Sequence, residues 1–526
     1  MNMLLENFRV LRVPQVSTAL VLFVVLNMGC TGSGTSAFTA NTIAASSTSS
    51  SSVSRSWSTP QVIDLGSGSS SYATNHNVER TGTAYRFPMA VFNDAVKNFN
   101  VVMNRASSNA APSTVLGYIM GPSNFNTDAW VTSLGNFTQV DVGTSRDSMR
   151  PLAAVDSNGN TIVVMFAEIA AGTDRERPLA VRRTAGSSYW STPTDISTTV
   201  LSDSNDNPIR PYSTAMSVDA YNNTVVVWCQ DTDNDVSSAF FNEHRPYSGW
   251  RWSNTAGDSN ARIWNDGNAC TANGMDVGFD SSGTGYGVFS TSANIVMRRW
   301  SGDNWSGSAW TLGGVSGTVA MPKLYVAPNG QTSVFFYNTY TAATSGELNL
   351  STGSGTTFGS ATRFDSSVGT GTVYAGDTVD VIAPILAYKG SKAVLLFIKS
   401  NGTTRRLWVS LYQGGVSWST PTALDSGVGD VTWADASINS AGQIAVVFSS
   451  IQTADASTEH VYGNIYTSDT WQGNTRLDTL SIFSSGTSVN YGEYRPSVSI
   501  DSEGNAVATF SIIISSVRRG VAVVYR

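Results

Sequence analysis

Charged side chains are scarce in this chain, at 13% of 526 residues, and both signs are scattered around a formal net charge of −7. That excludes the clustered basic face of a nucleic-acid-binding protein. Histidine is scarcer still: His76, His244 and His460 lie far apart and show no paired metal-ligand spacing. No Gly-x-Ser-x-Gly elbow occurs, which removes that arrangement of a nucleophilic serine. No long stretch carries apolar residues at helical spacing, and the apolar run from Val16 to Leu26 is too short to span a bilayer. What is plentiful is Gly, Ser and Thr between β-branched runs, a composition suited to an all-β surface or extracellular protein.

The opening segment places Arg9 and Arg12 before the apolar run and small or neutral residues after it, the build of a secretory signal. Leu26, Gly29 and Cys30 resemble a bacterial lipoprotein signal, although Asn27 stands where that family has its large aliphatic residue. The resemblance implies cleavage before Cys30, lipid attachment to that cysteine and, with Thr31 following it, the outer membrane. An ordinary secretory signal is the alternative. From Ser46 to Ser56 only Thr48, Val53 and Arg55 are not serine, so this stretch cannot bury enough apolar surface to order itself. The expected organisation is a signal over 1–29, a disordered tether over 30–56 and one folded domain over 57–526.

The folded part repeats. Trp57-Ser58-Thr59-Pro60 returns as Trp190 to Pro193 and as Trp418 to Pro421. A second phrase, a proline followed by alternating residues, an acidic or polar turn and a β-branched run ending in an aromatic, aligns Pro151 to Asn160 with Pro496 to Asn505 without a gap and runs on to Phe166 and Phe510. Weaker copies start at Pro88, Pro211, Met275, Pro322, Pro384 and Ala434, with successive starts 47 to 64 residues apart. Each unit parses into four strands, the fourth marked by an aromatic residue near its start. The last unit stops three strands in, and 57–65 is the missing fourth. These observations predict an all-β fold, a single eight-bladed β-propeller with four-stranded blades, closed by the N-terminal strand completing the C-terminal blade. The recurring tryptophans and the Asp156 and Asp501 turns then belong to the scaffold, because a ligand site needs asymmetry.

Function is expected where the units differ, on the face reached just before each unit's proline. Arg86, Arg150, Arg210 and Arg495 stand there in four units that are neighbours in ring order, whereas Gly274, Met321, Ala383 and Trp433 stand there in the others. A planar guanidinium fork binds carboxylate through two parallel hydrogen bonds, so the four arginines are the candidate ligand-binding residues. Asp147, Asp206 and Glu493 lie a few residues upstream, and local ion pairing is the competing reading. Tyr85-Arg86-Phe87-Pro88 resembles the Phe/Tyr-Arg-Ile-Pro motif of sialidases, propeller enzymes whose arginine triad grips a carboxylate. The resemblance implies that Arg86 is the first arginine of such a triad. Against it, sialidases have six blades, and their Ser-x-Asp-x-Gly-x-x-Trp boxes are absent.

The loop Asp231-Thr232-Asp233-Asn234-Asp235 alternates carboxylates but lacks the glycine and terminal acid of an EF-hand, so it reads as a solvated loop and no metal or cofactor is implied. Cys229 and Cys270 are placed near one blade boundary, where a disulfide and two separate buried thiols are both open readings. The function expected is binding at the cell surface by a monomer, with a glycan or surface protein as partner, contact with the membrane through the lipid anchor alone, and no nucleic acid. Tyr374, Tyr491 and Tyr494 are candidates for stacking on a sugar. A sialidase-like glycoside hydrolase and an envelope assembly scaffold are the rivals.

Overall fold

The computed structural model describes residues 55–62, 89–93, 98–106, 113–120, 138–139, 148–168, 176–187, 190–195, 214–219, 222, 224–232, 235–245, 251–253, 262–264, 274–479 apart from short gaps and 375–383, and 495–526 apart from 515–516. The expected signal, Cys30 and the tether up to 54 lie outside the described residues. Pairing begins at Ser56, which exchanges two backbone hydrogen bonds with Arg526.

The fold is an all-β propeller. Each sheet is an antiparallel meander followed in chain order, in four of them with one strand split into two segments that share a neighbour, and Gln61–Val62 joins Val517–Tyr525 in the sheet that starts at Ser497–Ile500. Strands such as Lys392–Ser400 read as near-continuous apolar runs because both faces are buried. Val394, Leu396 and Ile398 pack toward one neighbouring sheet, and Leu395 and Phe397 toward the other.

The eight-bladed ring of uniform four-stranded blades is corrected. Described side chains run from the inner strand at least to the third strand in six blades, whose inner strands are Ser148–Val155, Met275–Phe279, Ala320–Val326, Ile385–Lys389, Asp430–Ile438 and Ser497–Ile500. In the sheets that start at Met89–Asn93 and Thr214–Val218 nothing is described of the side chains beyond the second strand. Six blades, not eight, are therefore described through their third strand. Strand number also varies, since four sheets have four strands and four have five. Outer strands break in two, as at Thr470–Trp471 and Thr475–Arg476, where Gly473 at φ +99° interrupts the ladder. One inner strand is split as well: Thr372–Val373 and Ile385–Lys389 both pair with Lys392–Ser400.

The repeated phrases are structural. In all three Trp-Ser-Thr-Pro copies the serine bonds twice to the third strand: Ser58, Ser191 and Ser419 donate their N–H to the carbonyls of Val524, Arg182 and Leu411 at 2.7, 2.7 and 2.8 Å. Their Oγ atoms accept the N–H of the same three residues at 3.0, 2.9 and 2.9 Å. The hydroxyl thus takes the place of a backbone carbonyl and lets a single residue pair as two. In the turns, Asp156 and Asp501 bond internally: each accepts the N–H and the side-chain amide of Asn160 or Asn505 at 2.7 Å. Gly159 and Gly504, at φ +81° and +86°, complete these turns.

Inner strands form an unpaired edge around the axis, and side chains of the preceding blade cover it. Asp276 Oδ2 accepts Leu324 N–H at 2.8 Å, Asp435 Oδ2 accepts Val498 N–H at 3.2 Å, and Ser499 Oγ accepts Phe92 N–H at 2.9 Å. These bonds replace the ladder that no further strand supplies.

Candidate functional site at the channel mouth

In an antiparallel meander the starts of the first and third strands and the end of the second share one face. Polar and aromatic side chains gather there around the inner strand Asp430–Ile438. Arg495, just before Pro496, places its guanidinium 5.6 Å from the ring centroid of Trp433. Arg405, which opens Arg405–Gln413, lies 4.7 Å from the centroid of Tyr374. Its backbone N–H donates to Asp430 Oδ1 at 3.0 Å, and its guanidinium lies 3.8 Å from Asp430 Oδ2. Tyr374 and Trp433 pack on the same apolar cluster, which fixes the two pairs relative to each other.

Behind the aromatics the face becomes buried and polar. Thr432 Oγ1 bonds to Glu459, a carboxylate only 1% exposed, and to Ser449 Oγ at 2.7 Å. His460 Nδ1 is hydrogen-bonded to Asp478 Oδ2 at 2.8 Å, and Arg476 Nε donates to Asp478 Oδ1 at 2.7 Å.

The backbone at the mouth is unusual at the positions that sequence comparison singles out. Gly274, Met321 and Arg495, each directly before the start of its unit, have φ of +97°, +53° and +25°. The inner-strand ladder shifts register there too, between Ala320 and Lys323 and between Met149 and Leu152, on either side of Arg150. A bulge at this point turns the side chain away from the ladder and toward the mouth. For Arg495 the positive φ costs strain, which marks it as a candidate for function.

Of the four expected arginines, only Arg495 has a described side chain, and its guanidinium lies beside Trp433, the residue that fills the same position in the preceding unit. Arg150 lies on Ser148–Val155 and its side chain is outside the described residues, as are Arg86 and Arg210. Asp147, Asp206, Glu493, Tyr491, Tyr494 and Cys270 lie outside them too. Cys229 sits opposite Ala239 in the ladder of Thr224–Thr232. The acidic stretch after it forms the tip of the hairpin between the second and third strands, where it was expected, with Asp231 opposite Val236 and Thr232 opposite Asp235. Among the described residues no three His, Cys, Asp or Glu side chains converge as metal ligands.

Sequence reasoning missed Arg405, Asp430, Glu459 and the His460–Asp478 pair. A signal for the last exists: an apolar residue followed by Asp closes the fourth strand in Phe364-Asp365, Leu424-Asp425 and Leu477-Asp478. These aspartates are at most 4% exposed, and each takes a basic partner, Arg363, Arg406 and Arg476 respectively.

Deeper in the channel, Tyr388 bridges inner strands. Its hydroxyl is hydrogen-bonded to Ser217, and a Cβ on Gly278 would stand 3.0 Å from it. Burial, with the Asp276 carboxylate adding to it, pushes the Tyr388 hydroxyl up to about 12.

No known protein family and no curated protein matches the chain. Several solved structures resemble the chain in part. An alpha-L-arabinanase from Penicillium chrysogenum is 12% identical, over 59% of this chain and 92% of that one, with a TM-score of 0.36. The NanB sialidase from Streptococcus pneumoniae is 11% identical, over 82% of this chain and 83% of that one, with a TM-score of 0.38. A protein of unknown function from Dyadobacter fermentans is 8% identical, over 73% of this chain and 95% of that one, with a TM-score of 0.37.

Proposed function

We propose that the protein binds glycans at the cell surface and holds an anionic sugar at the channel mouth. The observation that carries this reading is the Arg495–Trp433 pair beside Arg405–Tyr374. Stacking on an aromatic face holds a guanidinium plane in one orientation and directs its N–H edge at a carboxylate or sulfate, while aromatic edges offer apolar surface to sugar C–H groups. The reading rests on these pairs, not on the likeness to the arabinanase or the sialidase.

Export, with a lipid on Cys30 as the membrane anchor, is part of the same proposal and draws on the signal-like opening of the sequence. A glycan array probed with the purified chain and with Arg495→Ala and Trp433→Ala tests the binding claim. Selective capture of acidic glycans that both variants lose supports it, and capture of none, or capture indifferent to both, overturns it. A fluorogenic sialoside assayed alongside separates binding from hydrolysis.

A further inference from the structure

We propose that the boundary between the blade of Arg405–Gln413 and the blade of Asp430–Ile438 binds a small monovalent cation, of ammonium or potassium size, through Asp425 and Ser450. The proposal uses neither the Arg495–Trp433 nor the Arg405–Tyr374 pair and does not depend on the glycan-binding reading. It is defined by comparison with the boundary one blade earlier. There Asp365 and Lys399, 0% and 3% exposed, form an ion pair, with Lys399 Nζ at 2.9 Å from Asp365 Oδ2 and 3.0 Å from the Asp365 carbonyl.

The two boundaries are built alike. Phe364 packs in a cluster with Leu395 and Phe397, and Lys399 follows two residues later on the same face of its strand. Leu424 packs in a cluster with Val446 and Phe448, and Ser450 follows two residues later on the same face of its strand. Pairing agrees, since Lys399 is opposite Arg406 and Ser450 is opposite His460. Asp425 therefore corresponds to Asp365, and Ser450 to Lys399.

Here the lysine has been replaced by an oxygen. Asp425 Oδ2 accepts Arg406 Nε at 2.6 Å, but Asp425 Oδ1 and Ser450 Oγ are both buried without a hydrogen-bond partner. A buried carboxylate oxygen without a donor is costly, and natural proteins seldom leave one unmatched. At the neighbouring boundary the matching group is an ammonium. Here a carboxylate oxygen and a hydroxyl oxygen stand in its place, which is the donor set of a hard monovalent cation rather than of a soft metal.

The test compares the thermal melting of the full chain in potassium, ammonium and choline chloride at equal ionic strength, with Asp425→Asn and Ser450→Lys measured beside it. A ligand that binds only the folded state raises Tm in a saturable way. The expected result is a saturable rise in potassium or ammonium over choline, absent in both variants, with Ser450→Lys supplying its own ammonium. Should Ser450→Lys fail to fold, Asp425→Asn and Ser450→Ala carry the same comparison. Equal melting of the unaltered chain in all three salts overturns the proposal and assigns the two oxygens to water. A cation effect that survives in the variants overturns it as well, because the ion then acts elsewhere.

Discussion

Arg495 lies over the Trp433 ring at 5.6 Å while its own backbone is held at φ +25°, a conformation that a side chain with a Cβ seldom adopts. The same position in two other units is held by Gly274 at +97° and Met321 at +53°, so the positive φ belongs to the scaffold and the arginine has been fitted to it.

Strain and function should separate at this residue. Arg495→Gly relieves a backbone cost of about 1 kcal/mol or more and loses the guanidinium, whereas Arg495→Ala loses the guanidinium and keeps the strain. The glycine variant is expected to unfold at a higher urea concentration than the alanine variant, while both lose acidic-glycan binding by about tenfold or more. Urea titration followed by tryptophan fluorescence, beside a binding isotherm, measures the two effects.

Ser419→Ala removes the hydroxyl that accepts the Leu411 N–H and leaves the backbone bond from Ser419 to Leu411 intact. A net loss of about 1 kcal/mol is expected in denaturant unfolding. Ser58→Ala removes the equivalent bond to Val524 across the ring closure. Amide exchange of Val524 should accelerate before that of residues in Lys392–Ser400.

Lys399→Met leaves the buried Asp365 without its ammonium, although Arg363 remains at 3.0 Å. Breaking a buried pair by removing one partner costs about 3 to 5 kcal/mol, at the lower end where a second cation persists. The double variant Lys399→Met with Asp365→Asn should recover part of that loss, which a double-mutant cycle on unfolding free energies reads directly.

Tyr388 predicts an alkaline limit. Its hydroxyl is raised to about 12 in the folded protein, above the ordinary tyrosine value of 10.0. Below about pH 10 both folded and unfolded forms are protonated and the residue has no effect on pH dependence. Between about 10 and 12 the unfolded chain has lost the proton that the folded protein keeps, so stability falls as pH rises. Tyr388→Phe should flatten that part of the stability profile, as measured by thermal melting across the range.

The sequence determined the propeller class, the antiparallel meander and the closure of the last sheet by the N-terminal strand, because hydrophobic alternation and turn chemistry act over a few residues and repeat. It also marked the Asp156 and Asp501 turns as scaffold, and their internal bonds bear that out. The number of packed blades and of strands in each was not legible. Outer strands are edges, where a single glycine such as Gly473 breaks the ladder without changing the apolar pattern. Nor was the mouth legible. Arg495 meets Trp433 across 62 positions, and Asp365 meets Lys399 across 34, because neighbouring blades bring their loops together in space. Such contacts depend on the angle between sheets, which only the packed tertiary structure sets. The paired arginines and the unmatched Oδ1 of Asp425 belong to that second class: the residue types are local, and their surroundings are decided by the packing of neighbouring sheets.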